Sequence, residues 1–303
     1  MDTTSAARPN VPLKSMLFVP GDSDKKLAKG RSTAASALIL DLEDAVSIDR
    51  IAIAREMVRD YLGTHADRSR QQLWVRINPL DGPLALPDLV GVVGGAPDGI
   101  VLPKIDSAQQ VVVLDHYLTA LEAREGVAPG SIRIMPVATE TPQSMFAAHT
   151  YRSASARLAA ITWGAEDLAT AIGASSNRAP GGEYEFTYQL ARSLCLLGAH
   201  AAGVQAIDTI TADFRDTAAL EREVSASRRA GFGGKLAIHP AQIDAINAGY
   251  SPDAEELRHA QAVIAAFAGA GGAGAVQLEG KMLDKPHLVQ AQRIIALGSG
   301  VGA

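Results

Sequence analysis

The stretch Leu158-Ala159-Ala160-Ile161-Thr162-Trp163-Gly164-Ala165-Glu166-Asp167-Leu168 carries the pattern from which the fold is read. Its apolar run, 158–161, shows no polar–apolar alternation and so reads as a strand buried on both faces. The chain then bends at Gly164, two carboxylates follow, and a helix-like segment begins. A strand ending this way sets acid side chains and free backbone N–H groups at one rim of a sheet. That combination suits a hard cation beside a small anion. The plainer reading is a helix first turn, where Asp and Glu are favoured.

Similar runs stand at 15–19, 37–40, 73–77, 99–102, 132–138, 205–208 and 235–238, most of them separated by helical spacing, as at 48–62, 111–125, 184–199 and 220–230. Eight short apolar strands over about 240 residues match a (β/α)8 TIM barrel. A doubly wound open sheet would want a glycine-rich turn after its first strand. Phe18-Val19-Pro20-Gly21-Asp22 is not one. In a barrel the chemistry sits at the C-terminal strand ends. Those ends carry Asp41, Glu43 and Asp44, then Arg76, Lys104, Glu140, Glu166 with Asp167, and Asp208, while the strand interiors are almost wholly uncharged.

Composition bounds the function. The 303 residues are 47% hydrophobic, enough for one large core or two smaller ones, and no apolar stretch is long enough to span a bilayer. Residues 1–11 are polar, lack a signal-peptide pattern and read as a flexible arm before a barrel over 12–250. The single cysteine, Cys195, lies in what reads as a buried helix face, Leu194-Cys195-Leu196-Leu197, and fits a reducing cytoplasm. A net charge of −5 gives no general attraction to nucleic acid or anionic membrane. Beyond the barrel, 251–303 reads as a helix, a Gly/Ala hinge over 268–275, and a compact lid segment in which Asp284 occupies a turn. The alternative is a packing appendage.

Taken together, Lys14-Ser15-Met16-Leu17-Phe18-Val19-Pro20-Gly21, Asp41-Leu42-Glu43-Asp44-Ala45-Val46, Val75-Arg76-Ile77-Asn78, Glu140-Thr141-Pro142, Gly164-Ala165-Glu166-Asp167-Leu168 and Gly231-Phe232-Gly233-Gly234-Lys235-Leu236-Ala237-Ile238-His239-Pro240 resemble the motif series of the citrate lyase beta subunit and malyl-CoA lyase group. Lys14 stands where that group more often has arginine. The tail Glu279-Gly280-Lys281-Met282-Leu283-Asp284 is similar to the lid of malyl-CoA, β-methylmalyl-CoA and citramalyl-CoA lyases, which short citrate lyase beta subunits usually lack.

The resemblance implies a Mg2+-dependent lyase, with Mn2+ a substitute, acting on acyl-CoA thioesters as a trimer or hexamer. The reaction would be a reverse Claisen cleavage to a 2-oxo acid, glyoxylate or pyruvate, and an acyl-CoA. By resemblance Glu140 and Asp167 hold the metal, the same pair the strand ends suggest. Backbone N–H groups around Ala165 and Glu166 would hold the substrate carboxylate. Arg76 would face the developing enolate as a donor that keeps its proton; its plainer role is an ion pair with Glu43 or Asp44. Asp284, from a neighbouring subunit, would move the proton at carbon. Glu43 and Asp44 would hold metal waters or Arg76. Lys25, Lys29 and Lys104 are weaker candidates for the CoA phosphates, since helix lysines commonly form a solvated face. His239 and Asp208 read as structural. Competing readings are a citryl-acyl carrier lyase subunit, a malyl-CoA thioesterase, and a non-catalytic CoA-binding regulatory barrel; a CoA-independent aldolase would want a histidine base near the second strand, where Asp44-Ala45-Val46 has none.

Overall fold

Each of these apolar runs becomes a parallel strand. A computed structural model describes residues 12–271 and 274–298, so the expected arm over 1–11 lies outside the described residues. The strands are β1 Ser15–Pro20, β2 Ala37–Asp41, β3 Gln72–Arg76, β4 Gly99–Leu102, β5 Arg133–Pro136, β6 Ala160–Thr162, β7 Gln205–Asp208 and β8 Gly234–Ala237. They pair in the order β5-β4-β3-β2-β1-β8-β7-β6. Parallel bridges Ile134–Leu158 and Val137–Thr162 join the two outer strands and close the barrel.

Alternation along each strand sorts side chains between two cores. Met16, Ile39, Trp74, Val101, Met135 and Ile207 fill the barrel interior. Leu17, Leu38, Leu40, Leu73 and Val75 face the helices. Each such side chain taken wholly out of water contributes roughly 1.5–3 kcal/mol. Lys235 in β8 is the exception to uncharged strand interiors. It points toward the helix layer, where its ammonium donates to the Thr209 carbonyl at 2.7 Å and lies 3.4 Å from Glu223. Cys195 is buried, and burial pushes its thiol up, against a nucleophile; its neighbour Leu197, expected on the same buried face, is exposed. Lys14 precedes β1 at the end of the barrel away from the rim and bonds Ser251 at 2.9 Å.

The tail differs in detail from expectation. Helix Ala254–Gly269 runs into the expected hinge, of which residues 272–273 lie outside the described residues. The segment expected as a lid is a hairpin, β9 Ala275–Leu278 against β10 Lys281–Asp284, followed by helix Lys285–Gly298. Asp284 therefore ends a strand, paired opposite Ala275, instead of sitting in a turn. Leu283 packs with Ala260, Val263, Phe267 and Ala291 in a small core of its own. Among the described residues no helix is long and apolar enough to cross a membrane.

Candidate active site

The ends of β2 to β6 converge on one cluster. Register sets Asp41 on β2 beside Arg76 on β3, so carboxylate and guanidinium meet edge to edge. Nε donates to Oδ1 at 2.7 Å and Nη2 to Oδ2 at 2.6 Å. Such a two-point fork fixes orientation as well as charge. Nη1 lies 2.9 Å from Glu43 Oε2, an ionic contact without an aligned hydrogen bond, and that buried oxygen is left with no hydrogen-bond partner. The Phe18 ring lies beneath the guanidinium, 4.6 Å from centroid to Cζ. Arg76 thus pairs first with Asp41, next with Glu43, and with Asp44 only at 3.9 Å.

Lys104 joins the halves of the cluster. It follows β4 with a φ of 50°, a left-handed conformation that is strained for a residue with a Cβ. In that conformation its N–H donates to Glu140 Oε2 at 2.6 Å. Its ammonium bonds Glu43 and lies 3.2 Å from both Asp44 Oδ2 and Asp167 Oδ1. Lys104, expected among groups for CoA phosphates, instead stands amid carboxylates. Lys25 and Lys29 are exposed on helix Asp24–Arg31.

Glu140 and Asp167 arrive from β5 and from the first turn of helix Ala165–Ala171. Gly164 caps that helix, and its missing side chain makes room. A Cβ there would meet Glu140 Cγ and Oε1 at 3.0 Å. The Gly164 N–H reaches Thr139 Oγ1 at 3.3 Å. No side-chain cap covers the amides at the start of the helix, where Ala165 and Glu166 stand, and the Glu166 carboxylate accepts from Asn177 at 2.9 Å. Burial, then the charge of Asp167, pushes Glu140 up to about 8. Burial also raises Glu43, with Arg76 and Lys104 opposing it. Two carboxylates crowded this way favour an added cation.

Five carboxylates, Asp41, Glu43, Asp44, Glu140 and Asp167, face two cations, Arg76 and Lys104. Among the described residues no three His, Cys, Asp or Glu side chains converge on one metal position. A hard divalent ion held by one or two carboxylates, with water and substrate oxygens completing its shell, agrees with that. The acid excess, and a Glu43 oxygen that lacks an aligned hydrogen bond, fit such an ion.

Asp284 lies apart, its Oδ1 2.5 Å from His287 Nδ1. His239 accepts from the Ala241 N–H and stacks on Phe214 at 4.3 Å. Asp208 is held by Arg192 and Trp163. A cavity of about 310 Å³ beside Tyr151, Ser155, Leu158 and His200 lies at the opposite end of β6. Sequence reasoning placed Asp41 at a strand end without naming its partner, and gave Phe18 no role. Aligning the ends of β2 and β3 would have paired Asp41 with Arg76, whereas nothing in the sequence marks Phe18.

An α/β barrel here presents an acid-rich rim around a fixed guanidinium, a layout suited to metal-assisted chemistry on an anionic substrate. The model of the HpcH/HpaI aldolase/citrate lyase family matches residues 14–240. The citrate lyase subunit beta of Leuconostoc mesenteroides subsp. cremoris is 34% identical over 94% of this chain and 93% of its own length. A (3S)-malyl-CoA thioesterase of Cereibacter sphaeroides is 34% identical over 96% of each. Protein CitE from Mycobacterium tuberculosis, solved with magnesium, acetoacetate and coenzyme A, superposes with a TM-score of 0.77 at 32% identity, covering 96% of this chain and 99% of that one. The chain belongs to the HpcH/HpaI aldolase/citrate lyase family and is an enzyme of the lyase class. Because a citrate lyase beta subunit aligns across 94% of it, the tail does not separate this chain from those subunits.

Proposed function

We propose that the chain is a Mg2+-dependent CoA-ester lyase that splits a 3-hydroxyacyl-CoA, malyl-, β-methylmalyl- or citramalyl-CoA, into glyoxylate or pyruvate and an acyl-CoA. The observation that carries this reading is the meeting of Glu140 and Asp167 on one residue, Lys104, in the cluster that fixes Arg76. The solved relative with magnesium and coenzyme A supports both the ion and the substrate class.

Glu140 and Asp167 would hold the ion, which supplies a Lewis acid toward the hydroxyl oxygen that becomes the ketone. Arg76 stays protonated and, with Asp41 taking its Nε edge, presents Nη1 as a donor toward charge developing on the thioester oxygen. Glu43 and Asp44 steady Arg76 and Lys104. The Ala165 and Glu166 amides would receive the substrate carboxylate. Asp284, backed by His287 and brought by a neighbouring subunit of a homo-oligomer, would carry the proton at the acyl carbon.

The thioesterase relative favours a second reading, hydrolysis to malate and free CoA. Purified protein given (S)-citramalyl-CoA or malyl-CoA, with and without Mg2+, separates the two. Keto acid with acetyl-CoA supports the lyase, malate or citramalate with free CoA supports hydrolysis, and turnover of neither substrate rejects both.

A further inference from the structure

Lys104 touches both proposed metal ligands through different parts of itself. The backbone N–H fixes Glu140, and the ammonium lies against Asp167 Oδ1 and bonds Glu43. A carboxylate oxygen 3.2 Å from an ammonium is held by its charge, and a fixed positive charge beside a divalent ion opposes binding of that ion. The same cation keeps the crowded acids paired when no metal is present. Resting on Glu140 and Asp167 as ligands, we propose that Lys104 is a built-in competitor for the divalent ion. It holds Asp167 in the metal-free protein, leaves Asp167 on loading, and so keeps the metal weakly bound and exchangeable.

The physical consequence runs opposite to that of an ordinary structural lysine. Removing the ammonium should tighten metal binding while weakening the metal-free fold. A lysine that served only packing would lower stability and leave affinity unchanged or worse. Lys104→Gly is the decisive variant. Glycine accepts the left-handed backbone at this position and keeps the N–H that holds Glu140, which offsets part of the stability lost with the ammonium.

Metal-stripped full-length protein is titrated with Mn2+, free ion being followed by electron paramagnetic resonance, and the metal-free Tm is recorded in parallel. We expect Lys104→Gly and Lys104→Met to lower the Mn2+ Kd by about tenfold or more, Lys104→Met to lower the metal-free Tm, and Lys104→Arg to return Kd toward wild type. An unchanged or raised Kd in Lys104→Gly, with the wild type binding normally and Asp167→Asn binding weakly, overturns the competitor role alone. Absence of Mn2+ binding in the wild type overturns the ligand assignment itself.

Discussion

Arg76 shows how a single residue is set by its neighbours. Its Nε edge is taken by Asp41, its Nη1 rests near Glu43, and Phe18 supports its plane. A lysine cannot reproduce that fork. Arg76→Lys and Arg76→Met should each lower kcat by about 10²–10³-fold, with Mn2+ affinity changed little, as steady-state kinetics and metal titration would show. At Gly164 the expected effect is steric. Gly164→Ala sets a methyl 3.0 Å from the Glu140 side chain, so metal affinity should weaken while the fold is kept, at a cost of about 1–3 kcal/mol; an unaltered Kd would show that Glu140 has room to give. At this scale the acids were legible because strands must end somewhere and these end in charge. The place of Lys104 was not, because a left-handed φ after Pro103 leaves no mark in a string of letters.

Among the elements, β6 is the shortest strand of the barrel, with three residues, and the seam with β5 is braced from behind. Arg157 donates from Nη1 and Nη2 to Glu122 at 2.7 Å each, from Nε to Asp115 at 2.6 Å, and to the Ile132 carbonyl at 3.1 Å. Arg157→Met leaves Glu122 buried without its counter-ion, and should cost about 3–5 kcal/mol in urea unfolding at neutral pH. Burial alone would raise Glu122, but the Arg157 bonds and the Ile132 and Gly130 amides outweigh it and hold it below its ordinary value of 4.5. A carboxylate lowered on folding contributes stability above its unfolded pKa and loses it as pH falls through the folded one. The gap between wild type and Arg157→Met should therefore narrow in acid; a constant gap down to about pH 3 would exclude Glu122 as its source. Runs of buried aliphatics made the strands legible to within a residue or two. The tail hairpin was missed because its turn, Glu279-Gly280, is formed by φ values of 51° and 77°, and the first of these is rare for glutamate.

For the whole molecule, the closed barrel was legible because eight buried strands with helices between them admit few other arrangements. Where the tail docks was not, since its helices and hairpin bury their apolar side chains among themselves and the sequence does not say which rim they cover. If Asp284 serves a neighbouring subunit, two inactive proteins should repair each other. Arg76→Met and Asp284→Asn, mixed, dissociated and reassembled, should recover activity approaching a quarter of the wild type, the share of sites pairing an intact rim with an intact lid on random mixing. Recovery no greater than the sum of the separate variants would mean that each lid serves its own barrel.

Glu140 is held by a main-chain amide, that of residue 104. Every amino acid but proline carries that donor, so mutation at the position can alter the charge beside the carboxylate without releasing the carboxylate. A lineage can therefore drift in the charge beside Glu140 while the hold on that carboxylate is inherited intact.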